Sequence, residues 1–217
     1  MKKIFSIMMT ALLLTSLTAC SNGSQAETEA HEEPEVQTET TAPAETEAPA
    51  ETASAETASH PDVLVVFFSA TGTTKGVAER IASVTGGDLY EILAAEPYTA
   101  EDLNYNDSSS RTTKEQNDKN VRPEIAGEDV SLDGYTTVYL GFPIWWGEEP
   151  RILDTFVEKY SFDGITVIPF CTSGSSGIGR SGTNLEENAG SGTWLEGRRF
   201  SGNVSEADLQ TWIDSLK

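Results

Sequence analysis

The chain has 217 residues with 35 acidic and 14 basic side chains, which gives a formal net charge of −21. This charge excludes an obvious electrostatic fit to nucleic acid or to an anionic membrane surface, so a small anionic ligand must be held by local groups. The charge is unevenly spread, because residues 21–60 carry ten glutamates and no Lys or Arg, whereas residues 61–217 carry 25 acids and 12 bases. We therefore divide the chain into residues 1–20, 21–60 and 61–217.

The first region, "MKKIFSIMMTALLLTSLTAC", has the layout of an export signal. A basic start, an apolar run and small residues before Cys20 follow in order, and the run is too short for a permanent membrane span. The ending "LTAC" resembles the box of bacterial lipoproteins, which implies cleavage before Cys20 and lipidation of that cysteine. An ordinary cleaved signal with an incidental cysteine is the alternative. We expect an extracytoplasmic protein, lipid-anchored to a bacterial membrane, with Cys171 as its only other cysteine and hence no intramolecular disulfide.

Residues 21–60 repeat Glu, Thr, Ala and Pro, and Val36 is their only large apolar residue. Such a segment buries too little apolar surface to offset the entropy of ordering. As a flexible coil, its 40 residues would span about 35 Å. The composition predicts a disordered tether that holds a domain clear of a membrane.

Residues 61–217 are long enough for one globular domain with its own core. Unalternating apolar runs such as "VLVVFF" and "TVIPFC" indicate strands buried on both faces, and they alternate with helical patterns. The pattern predicts an α/β domain with a five-stranded parallel sheet and helices on both faces. Ligands of such sheets bind at the carboxyl ends of the strands.

The stretch after the first strand, Ser69 to Thr74, combines hydroxyl side chains with a glycine at the start of a helix. Helix amides and the helix dipole favour a phosphate at such a place. The P-loop spacing is absent. A Ser/Thr-rich helix cap without a ligand is the structural alternative.

Two further loops follow strands of the predicted sheet. "GFPIWWGEEP" after the third strand carries Trp145 and Trp146, and "CTSGSSGIG" after the fourth strand is rich in glycine and small hydroxyl residues. One phosphate-type loop, one aromatic loop and one glycine-rich loop describe a site for a flat ring that carries a phosphate.

On these residues the domain resembles the flavodoxin family, in the branch with Pro-Ile-Trp-Trp-Gly after the third strand. The Ser-x-Thr-Gly-x-Thr pattern matches the family's phosphate loop for flavin mononucleotide (FMN). The resemblance implies a doubly wound five-stranded parallel sheet with strand order 2-1-3-4-5, and FMN as cofactor. The residues that it implies for the phosphate are Ser69, Thr71, Gly72, Thr73 and Thr74. Those that it implies for the isoalloxazine ring are Pro143, Ile144, Trp145, Trp146 and Gly147, together with Thr172, Ser173, Gly174, Ser175 and Gly177.

The sequence departs from better-known flavodoxins in the second ring loop, which has no aromatic residue to cover the outer face of the flavin. That face is either open or covered by another segment, for which Tyr98 and Tyr105 are candidates. One of the two tryptophans is expected in the core. Cys171 is expected as a buried apolar group, since the domain has no partner cysteine. Lys75 is expected to face solvent.

Two features leave alternatives open. Gly177-Ile-Gly-Arg-Ser-Gly182 matches a dinucleotide fingerprint, but it follows the fourth strand, so we expect no nicotinamide site there. Residues 94–134 form an oversized polar connection with a short helix near Ser110 to Asn117. This connection either faces a ligand or partner, or is a solvated cover of the sheet edge.

The sequence therefore predicts a monomeric FMN-binding electron carrier whose redox partners are other proteins or small electron acceptors. No hydrolytic or metal-ligating pattern is found, and no histidine follows His60. Glu148 and Glu149 beside the ring loop, in a domain of net charge −13, are expected to lower the last reduction potential. An FMN-dependent NAD(P)H:quinone-type reductase is the first alternative, and a surface binding module without flavin is the second.

Overall fold

A computed structural model describes residues 62–217, so the predictions for Cys20, for residues 1–20 and for residues 21–60 lie outside the described residues. Strands and helices alternate along the described chain. The strands are β1 (Val63–Phe68), β2 (Asp88–Ala94), β3 (Ile125–Ala126), β4 (Thr137–Pro143), β5 (Thr166–Thr172), β6 (Thr193–Trp194) and β7 (Arg198–Phe200). The helices are α1 (Thr73–Thr85), α2 (Arg111–Asn117), α3 (Arg151–Lys159), α4 (Ser181–Ala189) and α5 (Glu206–Asp214).

The sheet has the order β3-β2-β1-β4-β5-β6, with β7 also paired to β5. The pairs β1–β2, β1–β4, β4–β5, β5–β6 and β5–β7 are all parallel. This is the predicted doubly wound order of five strands, with two differences. The fifth strand is divided into β6 and β7, and the short antiparallel strand β3 is added beside β2.

Helices cover both faces of the sheet because neighbouring residues of the central strands point to opposite sides. Along β1, Leu64, Val66 and Phe68 belong to one buried cluster, which packs against α3 and α4. Val65 and Phe67 belong to a second buried cluster, which packs against α1 and α5. The unalternating apolar strands are therefore buried on both faces, as the sequence predicts.

Local sequence sets several boundaries. Ser110 accepts a hydrogen bond from the Thr113 amide at the start of α2, and Ser205 does the same for Asp208 at the start of α5. Helix α1 ends at Gly86, which adopts a left-handed conformation with φ 69°. Within residues 62–217, no helix is both long enough and apolar enough to cross a bilayer.

Candidate functional site

The loop between β1 and α1 leaves the start of α1 open to a ligand. Gly72, with φ 82°, precedes the helix, and no side chain caps it. The first helical hydrogen bond is donated by the Gly76 amide to the Gly72 carbonyl, 3.1 Å. The amides before Gly76 have no partner within the helix, and an anion is favoured at such a helix start.

The same loop holds a buried hydroxyl without a partner. Ser69 Oγ is shielded from solvent and makes no hydrogen bond. Buried polar atoms are nearly always hydrogen-bonded in native proteins, so this oxygen is suited to a group that enters the loop. Thr71 and Thr73 lie next to it with exposed side chains whose hydroxyl oxygens are 3.3 Å apart. These residues therefore fit a phosphate better than a plain helix cap.

Thr74, in the first turn of α1, also makes a contact that the sequence did not indicate. Its side chain is buried, and its hydroxyl is 2.8 Å from that of Thr172 at the end of β5. The Thr74 hydroxyl is therefore hydrogen-bonded within the protein. This bond ties the start of α1 to the beginning of the glycine-rich loop. Lys75 is exposed and pairs with Glu91 at 2.9 Å, so it faces solvent as expected.

The two tryptophans after β4 have different environments, as expected. Trp145 is buried, and its ring makes edge contacts with Phe68 and Tyr98, at centroid distances of 5.6 and 5.0 Å. Trp146 is 40% exposed and lies against Tyr105, with ring centroids 4.3 Å apart. Trp145 is thus the core aromatic, and Trp146 forms an exposed aromatic pair with Tyr105.

The backbone turns tightly between these tryptophans and α3. Trp145 and Glu148 exchange two backbone hydrogen bonds of 2.9 and 3.0 Å, while Trp146 and Gly147 both have positive φ, 48° and 87°. This is the pattern of a two-residue type I′ turn, which favours Asn-Gly. Trp146 is the only non-glycine residue of the described chain with positive φ. A bulky residue in that conformation is strained, and such strain often occurs at functional sites.

A cavity of about 430 Å³ joins the three loops at the carboxyl edge of the sheet. Of the residues predicted for the site, it is lined by Thr71, Thr73, Pro143, Ile144, Trp145, Thr172, Ser173 and Gly174. The predicted residues outside this lining are Ser69, Gly72, Thr74, Trp146, Gly147, Ser175 and Gly177. The structure thus brings part of each predicted loop to one cavity.

The cavity also has walls that sequence reasoning missed. Leu103 and Tyr105 come from the long connection after β2, and Arg199, Ser201 and Gly202 come from β7 and the turn after it. The sequence indicates Tyr105 as a candidate for covering the flavin, whereas the β7 residues belong to no recognisable motif. Their contribution follows from the parallel pairing of β7 with β5, which places Arg199 opposite Cys171. The long connection thus faces the candidate ligand cavity with at least two side chains.

A buried charged cluster lies behind the Trp146 turn. Arg151 contacts three carboxylates, those of Glu148 at 2.6 Å, Glu149 at 3.5 Å and Asp154 at 3.6 Å. The hydrogen bond from Arg151 lowers the pKa of Glu148, whereas burial raises the pKa of Glu149 and of Asp154. Arg151 therefore offsets part of the charge of Glu148 and Glu149. The lower reduction potential expected from these two glutamates stays a prediction.

The remaining candidates take no part in the cavity. Cys171 is fully buried, as predicted, and burial raises the pKa of its thiol to about 12. Gly177, Gly179 and Gly182 of the dinucleotide-type fingerprint do not line the cavity. Among residues 62–217, no group of three or more His, Cys, Asp or Glu side chains could hold a metal ion.

The described site fits a flavin phosphate and ring on features of this chain alone. The open start of α1 and the unpartnered Ser69 Oγ suit a phosphate, and the cavity beside them is bounded by Trp145, Ile144 and Tyr105. Its volume lies within the range of small-molecule sites. Together with the doubly wound sheet, these features describe an α/β protein with a cavity suited to a phosphorylated ring at the carboxyl ends of its strands.

Comparison with known proteins specifies the class. The family model for flavodoxin matches residues 62–216. A candidate flavoprotein of Bacteroides eggerthii DSM 20697 is 44% identical, with a TM-score of 0.67, over 71% of this chain and 96% of its own. A candidate flavoprotein of Bacteroides uniformis ATCC 8492 is 43% identical, with a TM-score of 0.67, over 70% and 97%. The chain therefore belongs to the flavodoxin family, as the sequence predicts.

A more distant structure shares the fold. A flavoprotein of Lactobacillus acidophilus NCFM, solved in complex with FMN, is 20% identical with a TM-score of 0.54, over 70% of this chain and 97% of its own. No curated protein matches the sequence.

Proposed function

We propose that this protein binds FMN non-covalently and carries electrons between redox partners outside the cytoplasm. The observation that carries the proposal is the open start of α1 beside Ser69, whose buried hydroxyl has no partner, next to a cavity with aromatic walls. Membership of the flavodoxin family and the FMN complex of the Lactobacillus relative support the choice of flavin.

Different residues of the site would contact the phosphate and the ring of FMN. Ser69, Thr71 and Thr73 would bind the phosphate with hydroxyls, and the first amides of α1 would bind it with backbone N–H groups. Ile144 and Trp145 would hold the ring from one side of the cavity, and backbone groups of Ser173 and Gly174 would meet its polar edge. Bound FMN would supply one-electron and hydride chemistry, and the protein would set the orientation and electrostatics of the ring.

The proposal is tested by titrating the purified full chain with FMN and with riboflavin while flavin fluorescence is followed. We expect FMN to bind more tightly than riboflavin. Replacing both Thr71 and Thr73 by alanine should weaken FMN binding by about 100- to 10,000-fold, because hydrogen bonds to a charged group contribute roughly 1.5–3 kcal/mol each. Thr183→Ala, at an exposed position of α4, is the matched control. A chain that binds neither flavin is instead a binding module that has kept the fold for another ligand.

An FMN-dependent NAD(P)H:quinone-type reductase is the second candidate. It is favoured by the exposed Tyr105–Trp146 pair beside the cavity, since a flat acceptor ring stacks well on such a surface. Anaerobic addition of NAD(P)H distinguishes the two functions. Rapid bleaching of the bound flavin supports the reductase, whereas an electron carrier should stay yellow until a separate reductase or dithionite is added.

Anchoring through a lipid on Cys20 is part of the same proposal and rests on the sequence alone. In a bacterial host, the wild-type chain should incorporate labelled palmitate and sediment with membranes. Cys20→Ser should lose both properties. Labelling that persists in Cys20→Ser would refute the assignment, and Cys171→Ser is the control for the other cysteine.

A further inference from the structure

Arg199 brings a positive charge to the candidate cavity. It lies on β7, lines the cavity, and is half-buried. Its Nε and Nη2 donate hydrogen bonds to the Ser173 carbonyl at 3.1 and 2.5 Å, and Nη2 also donates to the Gly174 carbonyl at 2.8 Å. Two points of the glycine-rich loop therefore fix the orientation of the guanidinium.

No acidic side chain of residues 62–217 pairs with this charge. Arg151, near the cavity loops, contacts three carboxylates, whereas the bonds of Arg199 go to backbone carbonyls. Arg80 also binds only backbone carbonyls, those of Gly202 and Val204, but it does not line the cavity. Nη1 of Arg199 makes no hydrogen bond within the described residues. In a domain with 25 acids and 12 bases, an arginine that lines a cavity without an acidic partner is suited to an anionic ligand.

The position of Arg199 favours the phosphate end of the cavity. Three residues further on, Gly202 lies so close to Thr73 that a Cβ built on it would be 2.7 Å from Thr73 Cγ2. On the other side, Thr172 precedes the loop that Arg199 holds, and its hydroxyl contacts Thr74 in the first turn of α1. Gly202 and Thr172, on either side of Arg199, therefore contact the start of α1. The carbonyls that Arg199 binds belong to Ser173 and Gly174 of the glycine-rich loop, so its guanidinium lies between that loop and the phosphate loop.

We propose that Arg199 is a specificity residue that selects a phosphorylated ligand, by placing its guanidinium beside the phosphate monoester that the β1–α1 loop binds. This inference rests on the proposed function and refines it, since the sequence alone suggested a phosphate held by hydroxyls and amides only. A planar guanidinium offers directed donors to phosphate oxygens, and its carbonyl contacts pre-organise it for this role.

The test compares FMN and riboflavin binding by the full chain in three forms: wild type, Arg199→Gln and Arg198→Gln. Arg198 is the matched control, because it is exposed, lies over the Phe200 ring at 5.4 Å, and carries the same charge one residue away. We expect Arg199→Gln to weaken FMN binding by about 10- to 100-fold and riboflavin binding by less than about 3-fold, as befits one charge-assisted hydrogen-bonding group. Arg198→Gln should change either affinity by less than about 3-fold.

Two further readouts do not depend on the flavin ring. Inorganic phosphate should raise the midpoint of thermal unfolding of the wild type, and this shift should be smaller in Arg199→Gln. Arg199→Lys, which keeps the charge but not the planar fork, should bind FMN with an affinity between those of wild type and Arg199→Gln.

The outcomes separate this inference from the proposed function. A wild type that binds neither flavin overturns the proposed function and, with it, the role of Arg199. A wild type that binds FMN tightly while Arg199→Gln loses FMN and riboflavin equally shows that Arg199 only orders the Ser173–Gly174 loop. Unchanged binding of FMN by Arg199→Gln overturns the specificity role directly.

Discussion

The hydrogen bond between Thr74 and Thr172 should be worth a measurable part of the stability of the domain. Both side chains are buried, 1% and 4% exposed, and their hydroxyl oxygens are 2.8 Å apart. In Thr74→Val or Thr172→Val, a methyl group replaces one hydroxyl and the other hydroxyl stays buried without its partner. An unsatisfied buried polar group costs about 1–3 kcal/mol, so each single variant should lose that much free energy of unfolding.

The double variant Thr74→Val with Thr172→Val should lose much less than the sum of the two singles. It removes both hydroxyls and leaves nothing unsatisfied, and such a replacement can be nearly neutral. With single losses of about 1–3 kcal/mol each and a nearly neutral double variant, the double-mutant cycle should give a coupling energy of about 2 kcal/mol or more. Urea unfolding, followed by tryptophan fluorescence and circular dichroism, measures all four free energies, with Thr183→Val as the exposed control.

Additive losses, with a coupling energy below about 0.5 kcal/mol, would refute the reasoning. Flavin binding gives an independent check on the same bond. Because the Thr74 hydroxyl is engaged with Thr172, Thr74→Val should keep most of its affinity for FMN, whereas replacement of Thr71 and Thr73 should not. A large loss of FMN affinity in Thr74→Val would show instead that the Thr74 hydroxyl contributes to phosphate binding.

Three further predictions follow from the core and the buried charges. Gly141→Ala should destabilise the domain by about 1–3 kcal/mol or more in urea unfolding, because its Cβ would lie 2.2 Å from Cζ of Phe170; unchanged stability would contradict this packing. The pKa of Glu149 is raised by burial, so the uncharged form is favoured in the folded state, and the associated stability is present at low pH and lost as the pH rises through the folded pKa. Glu149→Gln should therefore gain stability relative to wild type as the pH is raised from about 4 to 8, and a pH-independent difference in unfolding free energy would argue against it. Cys171 should resist iodoacetamide at pH 8 in the folded protein and react in urea, because burial raises the pKa of its thiol to about 12; labelling of the folded domain at Cys171, located by peptide mass spectrometry, would contradict this.

Features that depend on neighbouring residues in the sequence could be predicted. The apolar runs predict the strands. Gly72, which follows the hydroxyl residues Ser69 and Thr71, predicts where α1 starts. Ser205 gave the start of α5, since an N-cap needs only its own local sequence. These interactions lie within one turn or loop, so no knowledge of the tertiary structure was needed.

Features that depend on strand pairing could not be predicted. Arg199 reaches the cavity only because β7 pairs with β5 in one register, and no local pattern marks it. The division of the fifth strand also depends on packing: a Cβ on Gly197 would lie 2.4 Å from Ile178 Cδ1, so this part of the chain lies tightly against the loop before α4. The contact between Thr74 and Thr172 could not be predicted for the same reason, because the two residues are distant in sequence.

One contact beside the ring loop had a local signal in the sequence. Arg151 follows Glu148 and Glu149 by three and two positions, at the start of α3. It contacts both glutamates, although they precede the helix. Estimating the electrostatic effect of a loop therefore requires the charges of the next helical turn.

The order in which the cavity walls occur along the chain has a consequence for biosynthesis. The walls begin at Thr71 and end at Gly202, so a growing chain lacks one side of the cavity until the turn after β7 has been made. A partly synthesised or C-terminally clipped chain would keep the β1–α1 loop but lose Arg199, Ser201 and Gly202. Ligand binding would therefore require a chain that has been synthesised through the turn after β7. A chain cut before β7 would be stabilised little by the ligand, and would gain little protection from it against proteases.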